Sequence, residues 1–196
     1  IRTEGWTRQN DLVLRRICEA STELAGKTLG IVGLGRNGRG VAKRAAGFEM
    51  TMAAYDPYAP PEEAKALGVE LCGLEEVLSR ADYLVMAARV TEETRGMIGA
   101  KEFARMKEGA CFINAARAAL ADSGALLEEL RAGRLRAALD VFDQEPIGPD
   151  SPWYSIPEDR LLMTSHLAGL SVERVVYQSE MLYGLFSRFL EGETME

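Results

Sequence analysis

The sequence predicts a doubly wound α/β fold, in which a mostly parallel sheet carries helices on both faces and a long helix ends the chain. Short apolar runs alternate with segments of helical periodicity from residue 28 to residue 164, as expected when crossover helices follow the strands. The first apolar run leads directly into a glycine-rich turn, and residues 171–190 carry one apolar stripe at helical spacing.

The first strand, turn and helix have a specific glycine spacing. Thr28–Val32 is an apolar run that predicts a buried strand, and Gly33, Gly35 and Gly38 follow at once as G-x-G-x-x-G. The first glycine permits the tight turn, the second lets a pyrophosphate approach the backbone, and the third lets the helix pack closely on the strand. Asp56 ends the next apolar run, 18 residues after Gly38, where a carboxylate can accept hydrogen bonds from a ribose diol. This context predicts a Rossmann-like dinucleotide site; a glycine-rich turn in another kind of α/β unit is the alternative.

Prolines and apolar runs predict the elements that follow. Pro57, Pro60 and Pro61 end the second strand. The polar segment Thr91–Arg95 follows the fourth strand, and ligands of open α/β sheets lie at the carboxyl ends of strands. It is therefore a candidate cofactor loop, with a plain helix start as the alternative. The predicted elements of this half are strands at 50–55, 69–72 and 83–88 and helices at 62–67 and 74–78.

The second half of the chain repeats the alternation. Asp122 precedes a leucine-rich helical face and can cap that helix, which stops at Gly133. A loop rich in proline, glycine and aspartate follows at 147–152. The predicted elements are helices around 103–106, 122–133 and 171–190 and strands at 110–115, 135–141 and 161–164.

Composition excludes several function classes. The chain has 196 residues, of which 47% are hydrophobic and 27% charged, and its net charge of −7 argues against nucleic acid or an anionic membrane as the main partner. No apolar run approaches the roughly 20 residues that cross a bilayer, and the charged N-terminal segment argues against a signal peptide. Three widely spaced cysteines without metal-ligand spacing predict no metal site and favour a reducing cytoplasm.

Three charged residues follow predicted strands and would share one edge of the sheet: Arg117, Glu145 and His166. Hydride transfer between a nicotinamide and an oxo acid needs this combination. Arginine can hold the substrate carboxylate and polarise its carbonyl, and histidine can exchange a proton near neutral pH. A carboxylate beside the histidine favours its protonated form and orients the ring.

Two further residues have alternative interpretations. His166 is the single histidine of the chain, and a lone histidine is more often structural, but its position after a buried strand reverses that expectation. Asp140 lies within the predicted apolar strand, where a buried acid needs a partner. The carboxamide of a nicotinamide is one candidate partner, and a backbone amide is the other.

Six segments, in order, carry a resemblance to a known family. They are Gly26–Arg36, Tyr55–Tyr58, Thr91–Gly96, Asn114–Arg117, Ala138–Pro146 and Ser165–Gly169. Together they resemble the cofactor-binding part of the D-isomer-specific 2-hydroxyacid dehydrogenases over residues 24–180.

The resemblance implies a role for each site residue. Arg117 would bind the substrate carboxylate and carbonyl, His166 would donate the proton, and Glu145 would be its partner. Asp56 would hold the adenosine ribose and select NAD over NADP, because a 2′-phosphate would face a carboxylate. Backbone N–H groups of Arg36 and Asn37 would contact the pyrophosphate. Thr94, Ala115 and Asp140 would line the nicotinamide side. The implied NAD site comprises Gly33, Gly35, Arg36, Asn37, Gly38, Asp56, Thr94, Ala115, Ala116, Asp140 and Gly169.

The sequence also departs from the family pattern. Ala115 and Ala118 replace the usual threonine and glycine around the arginine, and Ser165 replaces the proline before the histidine. Ala87 and Arg89 replace a histidine and a proline before the polar loop. Glutamate rather than glutamine at position 145 is unlike the formate-oxidising relatives and favours a hydroxy acid substrate.

The resemblance also predicts domain organisation. Residues 1–26 would form an arm or linker and a possible dimer contact, residues 27–170 the NAD-binding domain, and residues 171–196 a helix that returns toward a substrate domain. Family members carry that domain upstream, with about 100 residues, a typical domain size. We expect this chain to bind NAD but to turn over little substrate alone.

The expected activity is reduction of a small 2-oxo acid to a D-2-hydroxy acid with NADH, in a cytoplasmic homodimer. The alternative is a non-catalytic NAD-sensing module similar to the dehydrogenase-like corepressors. Such a module would need the glycines and Asp56 but not Arg117, Glu145 and His166, so the presence of all three favours the enzyme.

Overall fold

The computed structural model describes residues 21–190, which form one seven-stranded sheet whose strand pairs are all parallel. The strands are β1 (Thr28–Val32), β2 (Thr51–Tyr55), β3 (Val69–Leu71), β4 (Tyr83–Met86), β5 (Cys111–Asn114), β6 (Arg136–Leu139) and β7 (Leu161–Met163). The α-helices are α1 (Arg36–Ala45), α2 (Pro61–Ala66), α3 (Leu74–Arg80), α4 (Ala100–Arg105), α5 (Ser123–Arg131) and α6 (Val172–Leu190). Short 3₁₀ helices occupy Ala46–Phe48, Ala118–Leu120 and Pro152–Ser155.

The strand order places a switch point beside the first strand. The order across the sheet is β3-β2-β1-β4-β5-β6-β7, so the chain builds outward from β1 in one direction and then crosses to its other side at β4. Val32 at the end of β1 pairs with Tyr55 on one side and with Met86 on the other. The loops after β1 and β4 therefore diverge and leave a crevice at the carboxyl edge, where dinucleotides bind in doubly wound sheets.

Helices cover both faces of the sheet, as the alternation predicts. One core lies under α3, α4 and α5, where Phe103 and Phe112 meet edge to face with ring centroids 5.2 Å apart. The other core lies under α1 and α2, where Ala42 and Ala64 pack with Ile31. Because both faces of β1 are covered, the strand is apolar along almost its whole length rather than alternating.

The glycine turn is shaped by two close backbone approaches. Gly33 has φ +94°, and a Cβ there would lie 2.6 Å from the Ala88 nitrogen. A Cβ on Gly38 would overlap the carbonyl oxygen of Gly33, so α1 can begin this close to β1 only with glycine. By contrast, a Cβ on Gly35 would project into open space, which leaves room for a ligand against the backbone.

One predicted strand boundary is wrong in a way that matters for the site. Asp140 was expected within the sixth strand, but β6 ends at Leu139 and Asp140 starts the loop that follows. The Asp140 N–H still donates to the Asn114 carbonyl, 3.0 Å away. The ladder stops there because Asn114 ends β5 and its side chain turns back to the chain beyond it.

The C-terminal helix α6 spans Val172–Leu190, and those of its apolar side chains that the structure describes are exposed. The exposed apolar residues of α6 are Val176, Tyr177, Met181, Leu182, Tyr183, Phe186 and Leu190. Within residues 21–190, no helix has the length and hydropathy needed to cross a bilayer. The predicted arm lies outside the described residues except for its last six positions, and so do residues 191–196 of the predicted C-terminal segment.

Replacing Gly38 with alanine should strongly destabilise the domain and weaken NADH binding, because the new methyl group forces β1 and α1 apart. Gly40 is the matched control on the same helix, since a Cβ there lies 3.6 Å from the nearest atom, the Arg44 guanidinium. Gly40→Ala should be neutral or stabilising by up to about 1 kcal/mol, the helix-propensity difference between the two residues. Thermal unfolding and NADH titration measure both variants; equal stability of the two would contradict the close-packing role of Gly38.

Candidate active site

Asp56 ties the end of β2 to the glycine turn. Its Oδ2 accepts the Leu34 N–H at 2.7 Å, and its Oδ1 accepts the Tyr58 N–H at 2.9 Å. Each carboxylate oxygen can accept a second hydrogen bond. Asp56 can therefore hold the turn closed and still accept hydrogen bonds from a ribose diol.

The N-terminus of α1 is suited to a phosphate. Gly35 is the N-cap residue, no side chain caps the helix, and its first turn contains no acidic residue. Arg36 and Asn37 are exposed at this end, above the open space over Gly35. Free N–H groups and the positive end of the helix dipole favour an anion there, so these residues fit the pyrophosphate of a dinucleotide.

The loop after β4 is a hydrogen-bonded turn, so the alternative of a plain helix start is wrong. The Thr94 hydroxyl accepts the Thr91 N–H at 2.8 Å and donates to the Arg89 carbonyl at 2.6 Å. The Tyr58 hydroxyl lies 3.4 Å from Glu93 Oε2, which joins this loop to the one after β2. The two loops thus meet beside the switch point.

Asn114 shapes the turn that carries Arg117. Its side chain is 3% exposed, donates from Nδ2 to the Arg117 carbonyl at 2.9 Å and accepts the Ala116 N–H at 3.0 Å. The guanidinium of Arg117 is exposed and donates to the Ala116 carbonyl at 2.6 Å. Sequence reasoning overlooked Asn114, although a polar residue at the end of an apolar strand is a signal that could have revealed it. Ala115, exposed at the same strand end, leaves this edge sterically open.

Glu145 and His166, which come from the loops after β6 and β7, are in contact. His166 Nδ1 lies 2.7 Å from Glu145 Oε2, and Glu145 Oε1 accepts the Phe142 N–H at 2.9 Å. The hydrogen bond to His166, followed by the one from Phe142, holds the pKa of Glu145 below its usual value. The carboxylate is therefore ionised at neutral pH and orients the imidazole with Nε2 left for another partner.

Asp140 is the buried acid of the site. Its side chain is engaged by the Thr164 hydroxyl and by the N–H groups of Leu167 (2.8 Å) and Ala168 (3.0 Å). Burial would raise its pKa, but the Thr164 hydroxyl, the two backbone donors and the charge that His166 carries when protonated hold the pKa of Asp140 below its usual value. The backbone-amide interpretation of Asp140 is thus the one the structure contains, and Thr164 is a second residue that sequence reasoning overlooked.

The structure therefore places the predicted site residues in groups along one edge. Glu145, His166 and Asp140 form one connected group, and Asp56 and the glycine turn form another. Arg117 lies three residues after the end of β5, which pairs with β6 in the sheet. Its guanidinium donates to its own turn rather than to the Glu145–His166 pair. Gly169 lies between β7 and α6, three residues after the histidine.

Comparison with known proteins identifies the family. The model of the family described as D-isomer specific 2-hydroxyacid dehydrogenase, NAD binding domain, matches residues 1–168. This chain belongs to that family. The match spans the glycine turn, Asp56 and the Glu145–His166 pair, and NAD is the cofactor of this domain.

Curated relatives include dehydrogenases and reductases of hydroxy acids. D-3-phosphoglycerate dehydrogenase from Archaeoglobus fulgidus is 41% identical over 152 residues, which are 77% of this chain and 28% of that protein. Glyoxylate reductase from Korarchaeum cryptofilum is 39% identical over 172 residues, 87% of this chain and 51% of that protein. This chain thus spans between about a quarter and a half of the length of these curated relatives.

Solved structures agree on the fold. D-mandelate dehydrogenase from Rhodotorula graminis superimposes with a TM-score of 0.84 and 30% identity, over 93% of this chain and 54% of that chain. NAD-dependent formate dehydrogenase from Staphylococcus aureus, solved with NAD, superimposes with a TM-score of 0.79 and 29% identity, over 100% of this chain and 56% of that chain. The Rossmann-like architecture is therefore shared with enzymes of several substrates.

Asp140→Asn should destabilise the domain at neutral pH and change its acid unfolding. Because the folded-state pKa of Asp140 is lowered, its stabilisation is complete above the unfolded value, about pH 3.9, and is lost as the pH falls through the lower folded value. At pH 7 the melting temperature should fall by roughly 5 °C, from losing charged hydrogen bonds.

The difference in melting temperature between wild type and Asp140→Asn should shrink toward pH 3 in a thermal-unfolding series. Asp159→Asn is the control, because that carboxylate is exposed and 3.6 Å from the Arg160 guanidinium. If the difference in melting temperature between wild type and Asp140→Asn did not depend on pH, the charge of Asp140 would not contribute to stability.

Proposed function

We propose that the protein containing this domain transfers a hydride between NAD(H) and a small 2-oxo or D-2-hydroxy acid. The observation that carries the proposal is the 2.7 Å contact of His166 with Glu145 on the same sheet edge as the glycine turn. A histidine paired with an ionised carboxylate is a suitable proton donor near neutral pH. With Nδ1 facing Glu145, Nε2 is the atom that would give the proton to the carbonyl oxygen.

The other residues of the proposed site would bind and orient the substrate and the cofactor. Arg117 would bind the substrate carboxylate, since a guanidinium presents five N–H donors and one of its nitrogens is seen donating to Ala116. The turn fixed by Asn114 would set its position. Bound NADH supplies the hydride. Asp56 would hold the adenosine ribose, and the N-terminus of α1 would hold the pyrophosphate.

The substrate class rests on the site and on the relatives. The relatives reported above are named for phosphoglycerate, glyoxylate, mandelate and formate. An arginine that binds a carboxylate, together with glutamate rather than glutamine at position 145, favours a 2-oxo acid over formate. These relatives are named as enzymes, so they favour the enzyme over the corepressor-like module. A cytoplasmic homodimer remains part of the proposal, with residues 1–26 as candidates for the contact.

His166→Gln should reduce the rate of 2-oxo acid reduction by about 10²- to 10⁴-fold, the usual contribution of general acid catalysis. NADH affinity should change little, because the histidine acts on the substrate. The assay uses the full-length protein and follows NADH oxidation with glyoxylate, hydroxypyruvate, pyruvate and branched oxo acids.

The control is Glu158→Gln, an exposed residue of the loop before β7, which should leave the rate unchanged. NADH binding without turnover of any oxo acid would refute the enzyme proposal. A loss of rate and NADH affinity in equal measure for His166→Gln would indicate a structural histidine.

Asp56→Ala should weaken NADH binding by about 10- to 100-fold, the effect of losing one or two hydrogen bonds to a charged acceptor. NADPH binding should weaken less or improve, because the carboxylate that faces a 2′-phosphate is gone. Glu62→Ala removes one negative charge from the exposed start of α2 and is the control. Fluorescence titration with NADH and with NADPH measures the ratio of the two dissociation constants. An unchanged ratio in Asp56→Ala would refute Asp56 as the residue that selects the cofactor.

A further inference from the structure

We propose that Asp140 and Thr164 form a clamp that sets the backbone turn carrying His166, so that Asp140 is a positioning residue for the proton donor in addition to its expected place beside the nicotinamide. The inference rests on the proposed function of His166 only in its catalytic consequence. The clamp itself is a statement about the geometry of the turn.

One carboxylate holds the chain on both sides of the histidine. Thr164, two residues before His166, donates its hydroxyl hydrogen bond to Asp140 Oδ1. Leu167 and Ala168, the next two residues, donate their N–H groups to Oδ1 and Oδ2 at 2.8 and 3.0 Å. The turn is therefore closed on a single buried group at the end of β6.

Thr164 connects this carboxylate to the sheet. Its N–H donates to the Leu139 carbonyl at 2.9 Å, which extends the pairing of β6 and β7 by one residue. Asp140 follows Leu139 directly, so both members of the clamp leave the sheet at the same level. The sheet, rather than neighbouring loops, therefore fixes the position of the turn.

The turn needs this support because His166 has an unfavourable backbone conformation. Its φ is +57°, in the left-handed region that residues other than glycine avoid. Such conformations persist where the surroundings over-determine them, and they concentrate at functional sites. In this conformation Nδ1 of His166 lies 2.7 Å from Glu145 Oε2, so the clamp and the proton-donor pair are geometrically linked.

The same hydrogen bonds limit what else Asp140 can do. A carboxylate has about four acceptor positions, and the clamp uses three of them. The residue is only 4% exposed, so a carboxamide could reach at most one remaining position. A nicotinamide carboxamide would therefore share the carboxylate with the turn rather than replace its three contacts.

The single histidine of the sequence makes the clamp measurable without an activity assay. In the 196-residue chain labelled with ¹⁵N-histidine, one imidazole gives the Nδ1 and Nε2 signals, and Glu145→Ala supplies the reference for a ring without its partner. Thr164→Val removes the hydroxyl at nearly constant shape, whereas Thr164→Ser retains it. Wild type and Thr164→Ser should show the hydrogen-bonded Nδ1 signal, and Thr164→Val and Asp140→Asn should shift toward the Glu145→Ala reference.

The catalytic consequence is tested by separating rate from cofactor affinity. Thr164→Val should lower kcat by about tenfold or more with NADH affinity within about twofold, and Thr164→Ser should restore the rate, as expected for displacement of a reacting group by a fraction of an ångström. Circular dichroism checks folding, and the valine–serine pair keeps the test decisive if Asp140→Asn does not fold.

A direct cofactor role is distinguished with a nicotinamide analogue. The 3-acetylpyridine analogue of NADH lacks the carboxamide N–H donors. If Asp140→Asn weakens NADH more than about tenfold, leaves the analogue unaffected and does not move the His166 signal, Asp140 serves only the carboxamide and the clamp is overturned. An unchanged His166 signal in Thr164→Val would also overturn it. If the signals move as expected while no oxo acid is reduced, the clamp stands and the proposed function fails.

Discussion

Parallel pairing puts the carboxyl ends of all seven strands at one edge of the sheet, and every residue of the candidate site depends on that constraint. Loops that are far apart in sequence leave the sheet side by side. The loops after β6 and β7 are neighbours because those strands pair, which is why Glu145 and His166 meet although 21 positions separate them. The same order puts β1 and β4 together and opens the crevice at the glycine turn.

Polar side chains at the strand ends fasten these loops. Asp56 holds the glycine turn, Asn114 the turn of Arg117, and Asp140 the turn of His166. In each case the acceptor lies at or just after the end of a strand and takes backbone N–H groups that would otherwise lack partners. The loops are thus held in place by the sheet before any ligand binds, which is the condition for accurate placement of reacting groups.

Charge at this edge follows from the same arrangement. Asp140 is buried yet has a lowered pKa, since hydrogen bonds to the ionised form outweigh the cost of burial. Glu145 is more exposed and has a lowered pKa through His166 and Phe142. Two ionised carboxylates therefore lie beside one histidine: Glu145 contacts its imidazole, and Asp140 accepts the N–H groups of the two residues that follow it. The positive end of α1 lies elsewhere along the edge, where a phosphate would bind, so the negative phosphates of the cofactor would lie apart from these two carboxylates.

The glycine spacing, the apolar runs and the acidic residues that follow the strands determined the fold class and the family from sequence alone. The doubly wound parallel sheet, the turn at Gly33 and Gly38, and the family follow from local or ordered patterns in the sequence, and steric rules act on the turn directly. The strand order itself came from the structure. The end of β6, the roles of Asn114 and Thr164, and the partner of Asp140 were decided only by the tertiary structure. The contacts of Asp140 and Thr164 depend on which donors of the loop after β7 reach one carboxylate, and they exist only after the parallel strands β6 and β7 have been brought together. The contacts of Asn114 are local, but they depend on the fold of its turn, which the apolar pattern does not specify.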